Sequence, residues 1–186
     1  MDFDQGFSES FDAALGRAVR LISHFDWRLS QVTLFLIQGK GWQSHMESWY
    51  YAGSFGKSVG VSGRINLLHD LMIEFLATQS GDYGRSPDSQ IPDWFKDLER
   101  DLRQVNSRRN RIAHDAWWGD STEGRPLLIP HEHPVRGGKW DSGDFVSEQD
   151  LRSFSDFVQR VIGELDALWE RPDIVEWVGK NRLDNG

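Results

Sequence analysis

The sequence predicts a mainly all-α fold, an antiparallel four-helix up-and-down bundle with a short β-hairpin or loop insertion before its last helix. Two observations carry this prediction. Four stretches repeat apolar residues at alternating steps of three and four, which is the period of an amphipathic helix. The stretch 115–146 breaks that period with glycines and prolines. Residues 1–186 are therefore predicted to form one domain that carries an insertion.

The first two helices are predicted from long apolar stripes. The first stripe consists of Phe11, Leu15, Ala18, Ile22, Phe25, Leu29, Val32 and Leu36. Gly39 and Gly41 follow it, and glycine commonly ends a helix. The second stripe consists of Ile65, Leu68, Met72, Phe75 and Leu76, and it closes before Ser80-Gly81.

The third and fourth helices flank the insertion. The third is predicted from about Asp93 to about Ala113, with Pro92 suited to its first turn and with Leu98, Leu102, Val105 and Ile112 on one face. The insertion holds the short apolar run 127–129. The last helix opens with the capping-box spacing of Ser147 and Asp150, and Pro172 is expected to end or kink it.

Composition excludes several classes of protein. Hydrophobic residues make up 38% and charged residues 27% of the chain, which is typical of a globular domain. The absence of cysteine excludes disulfides, thiol catalysis and zinc–thiolate sites. No apolar run has the roughly 20 residues of a membrane helix, and the acidic N-terminus does not resemble a signal peptide. A cytoplasmic protein with no membrane partner is expected.

The net charge of −8 argues against a broadly basic surface for nucleic acid. One local exception stands out. Between Arg100 and Arg111 there are five arginines and one acid, Asp101, which gives this basic segment a local charge of +4. A solvated helix face is the ordinary interpretation of such a segment, and an RNA-binding surface is the functional one.

Arg109 is the unusual arginine of the segment, because it falls inside the apolar arc of the third helix. A guanidinium there must be paired or line a wet cleft, and Asp26 beside the first stripe is a suitable partner. His114 lies about 140° from Arg109 on an unbroken helix. The two converge only if the helix ends near Ala113 or if two copies of the chain build the site. Arginine, asparagine and histidine together suit phosphodiester chemistry.

The stretch from Arg109 through Asn110 to His114 resembles the R-x4-6-H signature of the HEPN superfamily, which lies near the end of the third helix of a four-helix bundle. Two further segments resemble the family more weakly. They are the segment 25–29, which carries the acid Asp26 on the first helix, and the segment 63–68 at the start of the second helix. The resemblance covers the helical layout of most of the chain. Toxin members neutralised by a nucleotidyltransferase carry a tyrosine two residues after the histidine, where this chain has Ala116.

The resemblance implies a metal-independent endoribonuclease that acts as a homodimer, with both motifs facing one cleft and with no cofactor or metal. By this resemblance, His114 is the general acid or base, Arg109 holds the scissile phosphate, and Asn110 orients the histidine or the phosphate. RNA is bound by three other arginines of the basic segment, namely Arg103, Arg108 and Arg111. Asp26 supports the catalytic residues without contacting the RNA. A toxin–antitoxin or phage-defence setting, with an antitoxin or other partner protein, is part of this expectation.

Other interpretations remain open. The main alternative is a non-catalytic HEPN-like module that binds a partner protein or a nucleotide, with Arg109 as a structural ion-pair partner. A metal site at His131 and His133, with His114 as a third ligand, is a weaker one. His69 on the second stripe is interpreted as a satisfied core histidine. The segment 56–58 resembles the end of a P-loop but has Tyr51 where the first glycine belongs.

Overall fold

The computed structural model of the chain describes residues 8–38, 59–80, 91–114, 116–119, 126–129 and 144–183. Within these residues the fold is mainly α-helical, as the sequence predicts. The helices are α1 Glu9–Gln38, α2 Val61–Ser80, α3 Asp93–His114, α4 Glu148–Glu170 and α5 Pro172–Leu183. Three short strands lie between α3 and α4, namely β1 Ala116–Gly119, β2 Pro126–Ile129 and β3 Asp144–Phe145.

The strands form one antiparallel sheet in the order β1-β2-β3. Trp117 pairs with Leu128, and Leu127 pairs with Phe145 across the other side of β2. The apolar run 127–129 therefore supplies the central strand. The sheet lies in the stretch 115–146, where the sequence breaks the helical period.

The chain divides into two compact units. The first combines Met1–Ser23 with Val105–Gln159, and the second combines His24–Gln104 with Arg160–Gly186. The prediction of a single domain over 1–186 stays a prediction. In the first unit, the buried apolar residues are Phe11, Ala14, Ala18 and Ile22 of α1, Val105 of α3, and Leu151, Phe154 and Val158 of α4.

The second unit buries the larger set of apolar side chains. Every helix contributes, and the fully buried large ones include Phe25, Leu29, Ile65, Leu68, Met72, Phe95, Leu102, Ile162, Leu165, Leu168 and Ile174. Two aromatic pairs join helices within it. Phe35 stacks on Trp169 with 4.6 Å between ring centroids, and Phe75 meets the edge of Trp177 at 5.5 Å.

The helices begin and end at residues that the sequence identifies as helix boundaries. α1 ends at Gln38, directly before Gly39, and Ser8 caps its start through a 3.3 Å bond that the Phe11 amide donates to the Ser8 hydroxyl. Pro92 lies one residue before α3, where its carbonyl accepts the first helical bonds. Pro172 ends α4 and opens α5, which is longer than the predicted segment around 174–178.

The predicted cap of α4 is confirmed. The Asp150 amide donates to the Ser147 hydroxyl at 3.1 Å, and the Ser147 amide donates to the Asp150 carboxylate at 2.8 Å. Hydrogen bonds from the hydroxyl and amide of Ser147 lower the pKa of Asp150. The cap thus satisfies two amides that the start of a helix otherwise leaves without partners.

Replacing Ser147 by alanine should lower the free energy of unfolding by about 1 kcal/mol, because the Asp150 amide loses its acceptor. Urea denaturation at neutral pH measures this. Ser153→Ala is the matched control, since Ser153 is exposed within the same helix, and it should change stability by less than about 0.5 kcal/mol. Equal losses in the two variants would show that the cap contributes nothing specific.

Candidate functional site

The last two turns of α3 carry the residues that the sequence singles out. Arg109 is half-buried, and its Nη1 donates a hydrogen bond to Asn110 Oδ1 at 3.0 Å. Asn110 and Arg108 are exposed, and Arg111 is half-buried. The Arg108 guanidinium lies over the ring of Phe154, 5.8 Å from its centroid. The structure thus brings Arg109 and Asn110 together directly.

The burial of Arg109 follows from its place on the helix. Val105 is fully buried four residues before it, and Ile112 is half-buried three residues after it. Residues at these spacings share one helical face. Arg109 therefore lies where the buried face of α3 gives way to solvent: the Nε of its guanidinium is buried, and its Nη1 reaches the exposed Asn110.

His114 is the last residue of α3, and the helix is continuous from Arg109 to it. Five helical steps separate the two positions by about 140° around the axis. α3 ends one residue beyond the predicted end near Ala113, so Arg109 and His114 both lie within the helix. The side chain of His114 lies outside the described residues, so its role stays a prediction.

The basic segment carries less unbalanced charge than its sequence count suggests. Arg100 pairs with Asp97 at 2.8 Å and with Asp101 at 3.4 Å. Arg103, one of the predicted RNA-binding residues, pairs with Glu99 at 2.5 Å and donates to Asn66 at 3.1 Å. The count from Arg100 onward leaves out the acids one turn upstream, which are the partners of these two arginines.

From Asp93 to Arg111, α3 has six basic and four acidic side chains, which gives a net charge of +2. Asp101 is also engaged, because Arg160 of α4 reaches it at 2.9 Å and the Asp101 side chain is only 9% exposed. The hydrogen bond to Asp101 raises the pKa of Arg160 above its ordinary value. The excess of positive charge is thus displaced toward the motif, at Arg108, Arg109 and Arg111.

Asp26, the predicted supporting acid, is half-buried on α1. Its backbone carbonyl accepts a 2.5 Å hydrogen bond from Arg64 Nη1, which also donates to the Ser30 hydroxyl. Arg64 is 3% exposed, so it is a buried cation that the apolar pattern did not single out. Helical spacing could have identified Arg64 as an inward residue, because it lies three residues after buried Val61 and four before buried Leu68. The pairing of Asp26 with Arg109 stays a prediction.

His69 is satisfied by an acid from the next helix. Its Nδ1 lies 2.8 Å from Glu99 Oε2, and both side chains are mostly covered. Burial raises the pKa of Glu99, but hydrogen bonds from Arg103 and His69 outweigh it, so the pKa is lowered overall from its ordinary value of 4.5. The interpretation of His69 as a histidine with a partner agrees with this contact, although the ring is half-buried rather than fully inside the core.

The remaining candidates, the segment 56–58, His131 and His133, lie outside the described residues. Within the described ranges, no group of three histidine or acidic side chains is arranged to hold a metal ion. No helix in the same ranges is long and apolar enough to cross a membrane.

Comparisons with known proteins do not add a functional assignment. The chain matches no protein-family model, no curated protein and no solved structure. The interpretation of the site therefore depends on the residues of this chain and on the motif that they form.

The contact between His69 and Glu99 gives a pH-dependent prediction. A carboxylate whose pKa is lowered by folding stabilises the folded protein above its unfolded-state pKa, and this contribution is lost as the pH falls through the folded-state value. We expect Glu99→Gln to cost about 1 kcal/mol at pH 7 and the difference from wild type to shrink as the pH falls below 4.5.

Thermal or urea unfolding between pH 3 and pH 7 measures this difference. Glu74→Gln is the control, because Glu74 is exposed on α2, and it should track the wild type at every pH. A Glu99→Gln deficit that stays constant over this range would contradict a role for the Glu99 charge.

Proposed function

We propose that this protein is a HEPN-like, metal-independent endoribonuclease that cleaves RNA through Arg109 and His114. The observation that carries the proposal is the half-buried Arg109, bonded to Asn110 at 3.0 Å, in the last turns of the helix that ends at His114. The HEPN signature is expected near the end of the third helix, and α3 is the third helix within the described residues. In this proposal α1, α2, α3 and α4 form an antiparallel four-helix up-and-down bundle.

The chemistry assigned to these residues is transfer of a phosphodiester to the neighbouring ribose 2′-hydroxyl. His114 removes the proton of that hydroxyl or protonates the leaving 5′-oxygen, since histidine exchanges a proton near neutral pH. Arg109 binds the scissile phosphate and the negative charge that develops on it. Asn110 holds the Arg109 guanidinium in place through its side-chain oxygen. No metal takes part.

The continuous α3 helix supports a composite site. Positions 109 and 114 of one chain lie about 140° apart around the axis, and we assign the arginine and the histidine of one site to different chains. A homodimer removes the conflict, because a two-fold axis places the histidine of one copy near the arginine of the other. Arg108 and Arg111 flank the cleft as the RNA-binding residues, with Arg103 at its edge. We place the enzyme in the cytoplasm, in a toxin–antitoxin or phage-defence setting.

The test is cleavage of a mixed RNA pool in EDTA by the wild type, His114→Ala and Arg109→Ala. We expect the wild type to leave 2′,3′-cyclic phosphate ends, and each substitution to slow cleavage by about 10²-fold to 10⁴-fold, because His114 transfers a proton and Arg109 stabilises the charge that develops on the phosphate. His24→Ala, which removes an exposed histidine on α1, is the matched control and should cleave at the wild-type rate.

Cleavage that survives in His114→Ala would contradict the assignment and indicate a contaminating nuclease or another site. Absence of cleavage by folded wild-type dimer on single-stranded, structured and transfer RNAs would contradict the nuclease proposal itself. EDTA in every reaction excludes a metal-dependent activity at the histidines of the insertion.

One observation favours the alternative, a non-catalytic HEPN-like module that binds a partner protein or nucleotide. Arg100 and Arg103 pair with Asp97, Glu99 and Asp101 of their own helix, so these two arginines of the basic segment already have acidic partners. If Arg109 has the same structural role, the motif is retained for stability.

The two proposals differ in the stability of Arg109→Ala. A structural role predicts a loss above about 1 kcal/mol, because removing the guanidinium leaves covered polar groups without a partner. A catalytic role predicts a smaller loss together with loss of cleavage. Arg152→Ala, an exposed arginine paired with Glu148 on α4, sets the baseline for an arginine that contributes little.

A further inference from the structure

One carboxylate joins α2 and α3 within the second unit. Glu99 Oε1 accepts hydrogen bonds from Arg103, from Nε at 2.9 Å and from Nη2 at 2.5 Å. The other oxygen, Glu99 Oε2, lies 2.8 Å from His69 Nδ1 of α2. Asn66, one turn before His69, accepts a further bond from Arg103 Nη2 at 3.1 Å. We call these four residues the Glu99 cluster, because groups from two helices converge on that one anion.

The groups around Glu99 are those that also bind a phosphate. An arginine guanidinium binds carboxylates and phosphates through the same planar set of N–H groups. The amide nitrogen of Asn66 is a further neutral donor beside it. The Glu99 carboxylate therefore lies where an oxygen of an external phosphate can bind Arg103.

The cluster is open to solvent on the side of Arg103. The Arg103 side chain is 49% exposed, and Asn66 is exposed as well. Because an exposed ion pair contributes little to stability, Arg103 can exchange Glu99 for another anion at low cost. Arg100 lacks this arrangement, since its partners are two acids of its own helix and no histidine shares them.

The charge of the cluster depends on His69. Burial raises the pKa of Glu99, but Arg103 and His69 lower it further, so the carboxylate is charged at neutral pH. With His69 neutral, the charges of Arg103 and Glu99 cancel. Protonation of His69, which histidines undergo near neutral pH, leaves one positive charge in excess. The other neighbours of the imidazole are the ring of Phe95, at 6.4 Å between centroids, and the exposed Asp70 next to it in the chain.

We propose that Arg103 and Asn66 form a subsite for a backbone phosphate of RNA, which the Glu99 carboxylate occupies in the free protein. When RNA binds, the Arg103 guanidinium exchanges Glu99 for the phosphate, and Glu99 remains paired with His69. His69 takes up a proton in this step, because it is then the cation of the cluster that balances Glu99. No covalent bond forms or breaks.

The inference deepens the proposed function and rests on it for the identity of the ligand as RNA. Arg103 lies on the same helix as Arg109, about 9 Å along the axis and about 120° around it. The phosphate at Arg103 is therefore a different one from the scissile phosphate, further along the same strand. Arg103, a predicted RNA-binding residue, thus acquires a specific ligand and a condition under which it becomes available.

The first test is the affinity for a 2′-O-methyl RNA oligonucleotide, measured by fluorescence anisotropy at pH 6 and pH 8. This probe lacks the attacking 2′-hydroxyl and is not cleaved. We expect the wild type to bind about tenfold more tightly at pH 6, because binding takes up a proton. His69→Gln should lose most of this gain, and His24→Gln, on exposed α1 surface, should keep it. Calorimetry in buffers of different ionisation enthalpy should detect the proton taken up by the wild type.

The second test removes the internal anion. Glu99→Gln should tighten binding of the same probe at pH 8 by about fivefold, because nothing charged then competes for Arg103, and should abolish the pH dependence. Glu74→Gln removes the same charge from an exposed position of α2 and measures the general effect of a lost acid. A purely structural Glu99 predicts no gain beyond that of Glu74→Gln.

The third test counts the phosphate. Arg103→Ala should lower the slope of log affinity against log salt concentration by about 0.7, which is the contribution of one phosphate of a single strand. Arg100→Ala, the matched exposed arginine on the same helix, should leave the slope unchanged. Melting curves establish that each variant is folded at the assay temperature.

Three results would overturn the subsite. They are a wild type that binds the probe at neither pH, a pH dependence that His69→Gln retains, and an affinity of Glu99→Gln no higher than that of Glu74→Gln. These results are distinguishable from failure of the nuclease proposal. Binding with the expected pH dependence but without cleavage of unmodified RNA keeps the subsite and removes the enzyme. Cleavage that depends on His114 but not on the Glu99 cluster keeps the enzyme and removes the subsite.

Discussion

Arg64, in the first turn of α2, brings a positive charge into the protein interior. Its guanidinium needs hydrogen-bond acceptors there, and α1 supplies them. Its guanidinium donates to the Asp26 carbonyl and to the Ser30 hydroxyl of α1. Because an unsatisfied buried charge costs several kcal/mol, these bonds restrict how α2 can pack against the middle of α1. Ile65 and Leu68 follow on the same face, and their burial depends on that placement.

Ion pairs along α3 determine where the charge of the helix is available. Asp97, Glu99 and Asp101 engage the arginines of its first half, so the positive excess lies near its C-terminus, where the helix dipole favours cations. In the proposed nuclease, so few arginines would make few phosphate contacts, and RNA affinity would depend only modestly on salt.

The helix is continuous from Arg109 to His114, so these two positions lie about 140° apart around its axis. In the proposed nuclease, a second copy of the chain therefore supplies the histidine that acts with Arg109. Oligomeric state and cleavage can be measured separately, so the two halves of that proposal have separate tests.

The sequence by itself determined the local features of this protein. Apolar period places the four long helices, and the cap at Ser147 and the helix end before Gly39 follow from neighbouring residues alone. The same period places Arg109 on the inward arc of α3. Tertiary structure decided the contacts between distant residues, such as Asp101 with Arg160 and His69 with Glu99. The physical reason is that ion pairing and burial depend on which helices become neighbours, which no local pattern specifies.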